Sequence, residues 1–149
     1  MSRALSLALT AALTWWVAGC GGALQPVDLA SGDACSGCRM TISDRRTAAQ
    51  IVSPSEDARL FDDLGCLRDY LADHRLPHDA RVYVADHRTG EWVDASTAVF
   101  ARVASVDTPM GSHVVAWRDQ ASLEGDAAAA DAELLDRASL LHHSDRGPR

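Results

Sequence analysis

Cys35-Ser36-Gly37-Cys38-Arg39-Met40 places two thiols three positions apart and a thioether two positions further on. Two cysteines at this spacing can clasp one metal ion or close a strained disulfide, and Cys38 and Met40, at i and i+2, share a face if the stretch is extended. Thiolate beside thioether favours a soft ion. Among biological metals that describes Cu(I), because Zn²⁺ more often takes thiolate, imidazole or carboxylate. A redox pair or a short structural disulfide, with Met40 filling a core gap, are the competing readings of the hexapeptide. A thioredoxin-like site would follow a buried strand and open an apolar helix. Here a polar segment precedes the cysteines, and Met-Thr-Ile-Ser-Asp-Arg-Arg follows them.

Other groups lie further along. Cys66 falls in the first turn of a helix that Asp63 can cap, where the helix N-terminus lowers a thiol pKa; it reads as a ligand or disulfide partner, or equally as a small buried hydrophobe. Asp62 and Asp63 could hold a hard cation or orient a ligand, although capping and solvation explain them more simply. His113 offers an imidazole at a strand entry, where a surface histidine is the commoner outcome, and His142 and His143 lie on the terminal tail. No G-x-S-x-G, P-loop, H-E-x-x-H or Rossmann glycine pattern is present, so the chain does not read as an enzyme.

These groups must be positioned by a short chain. Its 149 residues, 47% of them hydrophobic, suffice for one compact domain or two small lobes sharing a core. The 14 basic residues, all Arg, against 21 acidic ones give a net charge of −7, which fits neither disorder nor a nucleic-acid-binding footprint. Residues 1–19 carry Arg3, an apolar run from Ala4 to Val17 and then Ala18 and Gly19, which reads as a signal peptide. Val17-Ala18-Gly19-Cys20 resembles the lipobox of bacterial lipoproteins, making Cys20 the lipid-bearing first residue of the mature chain; Gly21 resembles the outer-membrane sorting pattern. The expected location is extracytoplasmic, lipid-anchored, on the periplasmic face of the outer membrane. Residues 20–34 read as the lipidated N-terminus and a flexible tether. With Cys20 acylated, Cys35, Cys38 and Cys66 are odd in number, so one thiol stays unpaired or binds something.

The alternation of residues predicts strands over 47–53 and 58–62, joined by the turn-prone Pro54-Ser55-Glu56-Asp57. Leu64, Leu67 and Leu71 then form the apolar stripe of a helix that starts after Asp63 and ends near His74, before Pro77. Further strands are expected at 81–85, 91–94, within 95–103 and at 113–117. Phe61, Trp92, Phe100 and Trp117 read as core. The order suggests an α+β fold of two small ββαβ-like lobes, about 35–80 and 81–118. A partly helical tail, 119–149, should follow, in which Asp126 caps a peripheral helix with Leu134, Ala138 and Leu141 on one face.

Taken together, Cys35-x-x-Cys38-x-Met40-x-Ile42-Ser43-Asp44, Ala48-Ala49-Gln50-Ile51, Phe61-Asp62-Asp63-Leu64-Gly65-Cys66, Val84-x-Asp86, Glu91-Trp92-Val93-Asp94-Ala95 and Thr108-Pro109-Met110-Gly111 resemble the NosL family. Its members are lipoproteins, accessory to nitrous oxide reductase, that act as copper chaperones. The resemblance spans about residues 35–117, with its motifs in the same order. It implies two ββαβ lobes and a membrane-tethered Cu(I) metallochaperone that serves the reductase's copper centres through an ABC-transporter assembly. It also implies Cys38, Met40 and Met110 as sulfur ligands, with Cys35, Cys66 and His113 as further candidates. The family motif usually reads Cys-Gly-Met, whereas Arg39 stands between Cys38 and Met40 here. Glycine permits backbone angles that Arg adopts only at a cost, so the local geometry is expected to differ. An extracytoplasmic thiol-disulfide lipoprotein using Cys35 and Cys38, and a zinc-stabilised adaptor using Cys35, Cys38, Cys66 and His113, are the alternatives.

Overall fold

Alternating apolar residues and an aspartate-capped leucine stripe build the first half of the chain. A computed structural model describes residues 24–142; the leader, the lipobox with Cys20, and His143 lie outside the described residues. Strand β1 (Ala49–Val52) pairs antiparallel with β2 (Arg59–Phe61) and β3 (Arg81–Ala85), setting Ala49 opposite both Phe61 and Val84. Helix α1 (Leu64–Asp73) connects β2 to β3. The Asp63 carboxylate caps it by accepting the Gly65 N–H at 2.6 Å, and Leu64, Leu67 and Leu71 are buried as the stripe requires. Burial of this kind contributes about 1.5–3 kcal/mol per leucine. Strand β4 (Trp92–Asp94) extends the sheet to the order β2-β1-β3-β4.

The second half repeats the pattern in smaller form. Strands β5 (Val99–Arg102) and β6 (Val114–Trp117) pair antiparallel, α2 (Gln120–Glu124) follows, and β7 (Glu133–Leu135) returns to β5, giving the order β6-β5-β7. The two ββαβ units are therefore β1-β2-α1-β3 and β5-β6-α2-β7, with β4 added to the first sheet. This places the division differently from a boundary at 80/81: β3 completes the first unit and β7 completes the second. The region expected as a peripheral helix is likewise different. Asp126 does cap, but it caps a short 3-10 turn (Ala127–Asp131), and Leu134 lies in a strand whose backbone pairs with Ala101. The alanine run is too short of apolar bulk to hold a helix, whereas β5 offers an open edge. A last helix, α3 (Arg137–Leu141), buries Leu140.

The larger of two apolar clusters is shared by both units: Phe61, Leu67, Leu71 and Val84 pack with Phe100, Val114 and Leu140, while Ala101, Val103, Val115, Trp117 and Leu123 form a second cluster within the second unit. A polar seam joins the sheets. Asp86 forms a parallel bridge to Ala116, and its buried carboxylate accepts the Arg118 N–H (2.9 Å), the Ser122 hydroxyl (2.7 Å) and the Thr89 N–H (3.0 Å). Beside it the Asp126 carboxylate receives Trp117 Nε1–H at 3.0 Å and faces His87 Nδ1 at 2.8 Å. The segment expected as a flexible tether is fastened from Leu24 onward. The buried Gln50 amide donates to the Val27 carbonyl and accepts its N–H, and the Tyr83 hydroxyl donates to the Leu24 carbonyl. Phe61, Phe100 and Trp117 are buried; Trp92 is half-buried beneath the Arg45 guanidinium, 5.0 Å from its ring.

Candidate metal centre

The cysteine-bearing loop is held at its ends and hung from the sheet. Ala34 bridges Thr41, the Cys35 N–H donates to the Met40 carbonyl at 2.8 Å, and the Ser36 N–H donates to the Leu60 carbonyl of β2 at 2.7 Å. Between these ties residues 36–38 turn, and Arg39 takes φ 68°, the left-handed conformation that glycine adopts freely. The stretch is therefore not extended, and the shared face that an i, i+2 alternation would give Cys38 and Met40 does not apply. Met40 is 54% exposed.

The turn brings the thiols together. Sγ of Cys35, Cys38 and Cys66 and a carboxylate oxygen of Asp62 all lie within 4.8 Å of one another. Cys66 reaches the group from the first turn of α1, and Gly37 makes room for it: a Cβ at 37 would stand 3.2 Å from Cys66 Cβ. Cys35, Asp62 and Cys66 are buried, and Cys38 is half-exposed. Cys38 Sγ donates to Asp62 at 3.5 Å, and the Asp62 carbonyl accepts the Thr47 hydroxyl at 2.9 Å. Burial pushes the Cys35 thiol above its ordinary value, assisted by the Asp62 side chain; burial pushes Cys66 up too, with Cys35 and Cys38 beside it adding to the shift. The helix N-terminus, which alone would lower the Cys66 value, is outweighed. Three thiols converging beside a carboxylate can exchange their protons for a thiophilic cation, with the carboxylate oxygen as a further donor.

Met110 arrives from the second unit. Its backbone N–H donates to Asp63 Oδ2 at 2.9 Å while Asp63 Oδ1 caps α1, so one buried carboxylate holds the Met110 loop and the helix that carries Cys66. Burial opposes ionisation of Asp63. Hydrogen bonds from the Ser112 and Thr108 hydroxyls and from the Met110 and Gly65 N–H groups outweigh it and hold the carboxyl below its ordinary value. Met110, Cys38 and Cys66 line one open groove of about 630 Å³ with Arg59, Tyr70 and His74. The Tyr70 and His74 rings stack at 3.9 Å, with His74 Nδ1 2.9 Å from the Tyr70 carbonyl.

Of the residues expected in the site, the fold gathers Cys35, Cys38 and Cys66 and brings Met110 to the same groove. Met40 is outside that lining. His113 has φ 56°, with its ring Nδ1 2.8 Å from the Val106 carbonyl, and belongs neither to the thiol group nor to the groove lining. His142 is exposed. From the sequence Asp62 reads mainly as a capping or solvated residue, and His74 only as a helix end. The adjacent Asp62-Asp63 pair held the missed signal, since one of the two caps and the other points back to the thiols.

The NosL family profile matches residues 26–135. No curated protein matches the chain. Among solved structures, the crystal structure of the copper chaperone NosL from Shewanella denitrificans is similar, with a TM-score of 0.60 at 18% sequence identity, covering 75% of this chain and 92% of that one. That likeness establishes the shared fold.

Proposed function

The chain belongs to the NosL family, and from that premise we propose that it is a Cu(I)-carrying metallochaperone rather than an enzyme. The observation that carries the reading is the convergence of three thiols and a carboxylate within 4.8 Å, with Cys38 opening onto the groove that Met110 also lines. A soft cation matches sulfur of both kinds. The family relationship and the copper chaperone of like fold support the same ion.

In this reading Cys38 is the pivotal ligand, Met110 supplies thioether sulfur from across the groove, and Cys35 and Cys66 stand behind as reserve donors. Met40 is exposed near the turn and available to a passing ion. A carrier needs few ligands in an accessible site, because a closed four-ligand cage resists transfer. An incoming sulfur or imidazole of the recipient displaces a methionine first, and Cys38 leaves last. The recipient proposed is nitrous oxide reductase, reached through a membrane ABC-transporter assembly. The Cys20 lipobox would tether the carrier on the extracytoplasmic side, at the periplasmic face of the outer membrane.

One observation favours a second reading: three thiols and a carboxylate are also a zinc set, which would make the group a structural staple. The redox reading is less well supported. Cys35 is fully buried with its thiol pushed up, whereas disulfide exchange starts from an accessible, low-pKa thiol. Anaerobic titration of the reduced protein with Cu(I) and with Zn²⁺, read by stoichiometry and metal-edge X-ray absorption, tests all three. One sulfur-bound Cu(I), lost in Cys38→Ser, is expected. Tight preferential Zn²⁺ binding would favour the staple, and absent Cu(I) binding with a reducible Cys35–Cys38 disulfide the redox protein.

A further inference from the structure

We infer that Asp63 is a positioning residue for the cargo: by tying the Met110 loop to the start of α1 it decides whether a second class of sulfur faces Cys38. The inference rests on the reading above that Met110 is a ligand.

Capping α1 requires one carboxylate oxygen, and Oδ1 performs it on Gly65. Oδ2 is turned to the other unit, where it accepts the Met110 N–H at 2.9 Å. Asp63 is fully buried, so the carboxylate end of this part-buried contact is shielded from water, and its charge makes the bond stronger than one to a neutral acceptor. The loop is shaped to deliver that N–H. Gly111 turns at φ 66° behind it, the Gly111 N–H closes on the Thr108 carbonyl at 2.8 Å, and the Thr108 hydroxyl accepts the His113 N–H at 3.1 Å. Gly65 completes the fit. A Cβ there would lie 2.8 Å from Ser112 Cβ and 2.9 Å from Asp63 Oδ1, so a larger residue cannot occupy position 65 without pushing the loop off the helix.

Met110 itself is 50% exposed, so apolar packing does little to fix its place. Its backbone is fixed instead, by a contact to the residue three positions before Cys66. A soft ion on Cys38 thus shares its groove with a thioether whose backbone is held in place, and releasing the loop would leave it with the thiols of its own unit.

The test uses the reduced protein and compares Asp63→Asn, Gly65→Ala, Met110→Leu and the double variant Asp63→Asn/Met110→Leu. Each is read by Cu(I) competition against a chromophoric chelator and by the copper-edge sulfur count. Asp63→Asn turns an N–H donor toward one of the two backbone N–H groups, and Gly65→Ala displaces the loop while keeping the carboxylate. Each is expected to weaken Cu(I) binding about tenfold, the low end for a residue that orients a ligand. Each should also lower the sulfur count as Met110→Leu does, and the double variant should be no weaker than Met110→Leu alone. A residue with a purely structural role would lower the melting temperature without changing the sulfur count of the folded protein. If Asp63→Asn fails to fold, Gly65→Ala decides. If Met110→Leu weakens binding while the folded Asp63 and Gly65 variants keep wild-type affinity and sulfur count, the positioning role is overturned and the ligand reading stands. If Met110→Leu itself changes nothing, the ligand reading falls and the positioning role falls with it.

Discussion

In the first ββαβ unit the second strand ends at Phe61, Asp63 caps the helix, and the third residue after the cap is Cys66; in the second the strand ends at Trp117, Asp119 caps, and the third residue is Ser122. Both third residues are buried. Ser122 gives its hydroxyl to Asp86 at 2.7 Å, and Asp86 also takes two backbone N–H groups, so burial of its charge is outweighed and its carboxyl is held below the ordinary range. Cys66 instead meets Cys35 and Cys38, and burial pushes its thiol up. Oxygen donors satisfied inside the fold make a joint between sheets, whereas soft sulfurs with few hydrogen bonds offer donors that suit a thiophilic ion.

Cys38→Ser should break the comparison on the sulfur side most severely. Cu(I) affinity is expected to fall by more than about a hundredfold, beyond the range for orienting residues, while the melting temperature of the metal-free protein moves little. Ser122→Ala should leave Cu(I) affinity unchanged. Competition titration of the two variants side by side checks this, and equal losses would erase the distinction between joint and site.

Asp86→Ala tests the oxygen side. It strands the Ser122 hydroxyl and the Arg118 N–H, while the Thr89 N–H keeps its bond to the Asp86 backbone carbonyl, and hydrogen bonds to a charged acceptor support a loss of about 3 kcal/mol. For a chain of this size that is about 6–12 °C in melting temperature. Cu(I) binding by the folded fraction should survive. Denaturant unfolding with and without the metal reads both.

The two sides also differ in pH. The carboxyls of Asp63, Asp86 and Asp126 are held below their ordinary value of 3.8, so their stabilisation is present above the unfolded value and lost as pH falls through the folded ones. The thiols run the other way. Cys35 and Cys66 are raised above 9.0, so their contribution is full below that value and is lost as pH climbs beyond it, when the unfolded chain releases its protons first. Metal-free protein should therefore lose stability below about pH 4 and above about pH 9, with each group's slope limited to about 1.4 kcal/mol per pH unit. Asp86→Asn should flatten the acid limb and Cys66→Ser the alkaline one; unfolding across pH would expose either failure.

Local rules carried the reading of the first unit. Its strands, its cap at Asp63 and its Leu64-Leu67-Leu71 stripe are short-range patterns, and the structure follows them to within a residue or two at each end. The second unit was less legible because β7 forms only through the open edge of β5, which its own residues do not announce. The same limit applied at the site. The CxxC spacing showed Cys35 and Cys38, but that Cys66 and Asp62 join them depends on how a turn at 36–38 hangs from β2. Met110 could be reached by resemblance alone, since a contact to Asp63 across 47 residues leaves no periodic trace.

The smallest effect concerns Arg39. The chain adopts left-handed backbone at Gly32, Gly90 and Gly111 with glycine, but at Arg39 and His113 without it. His113 is compensated, for its N–H and ring both find partners in the 106–108 turn. Arg39 has its N–H on the Cys35 carbonyl at 3.0 Å, a bond glycine would keep. Arg39→Gly should relieve about 1–2 kcal/mol of strain and return about 0.4–1 kcal/mol through the greater freedom of the unfolded chain. The net is a stabilisation of about 0.5–1 kcal/mol, or about 1–4 °C in melting temperature. Cu(I) affinity should change little, because the turn that presents Cys38 is the same one. A lower melting temperature would show that the Arg39 side chain contributes more than its backbone costs, and a large gain in Cu(I) affinity would show that the strain reaches the thiols.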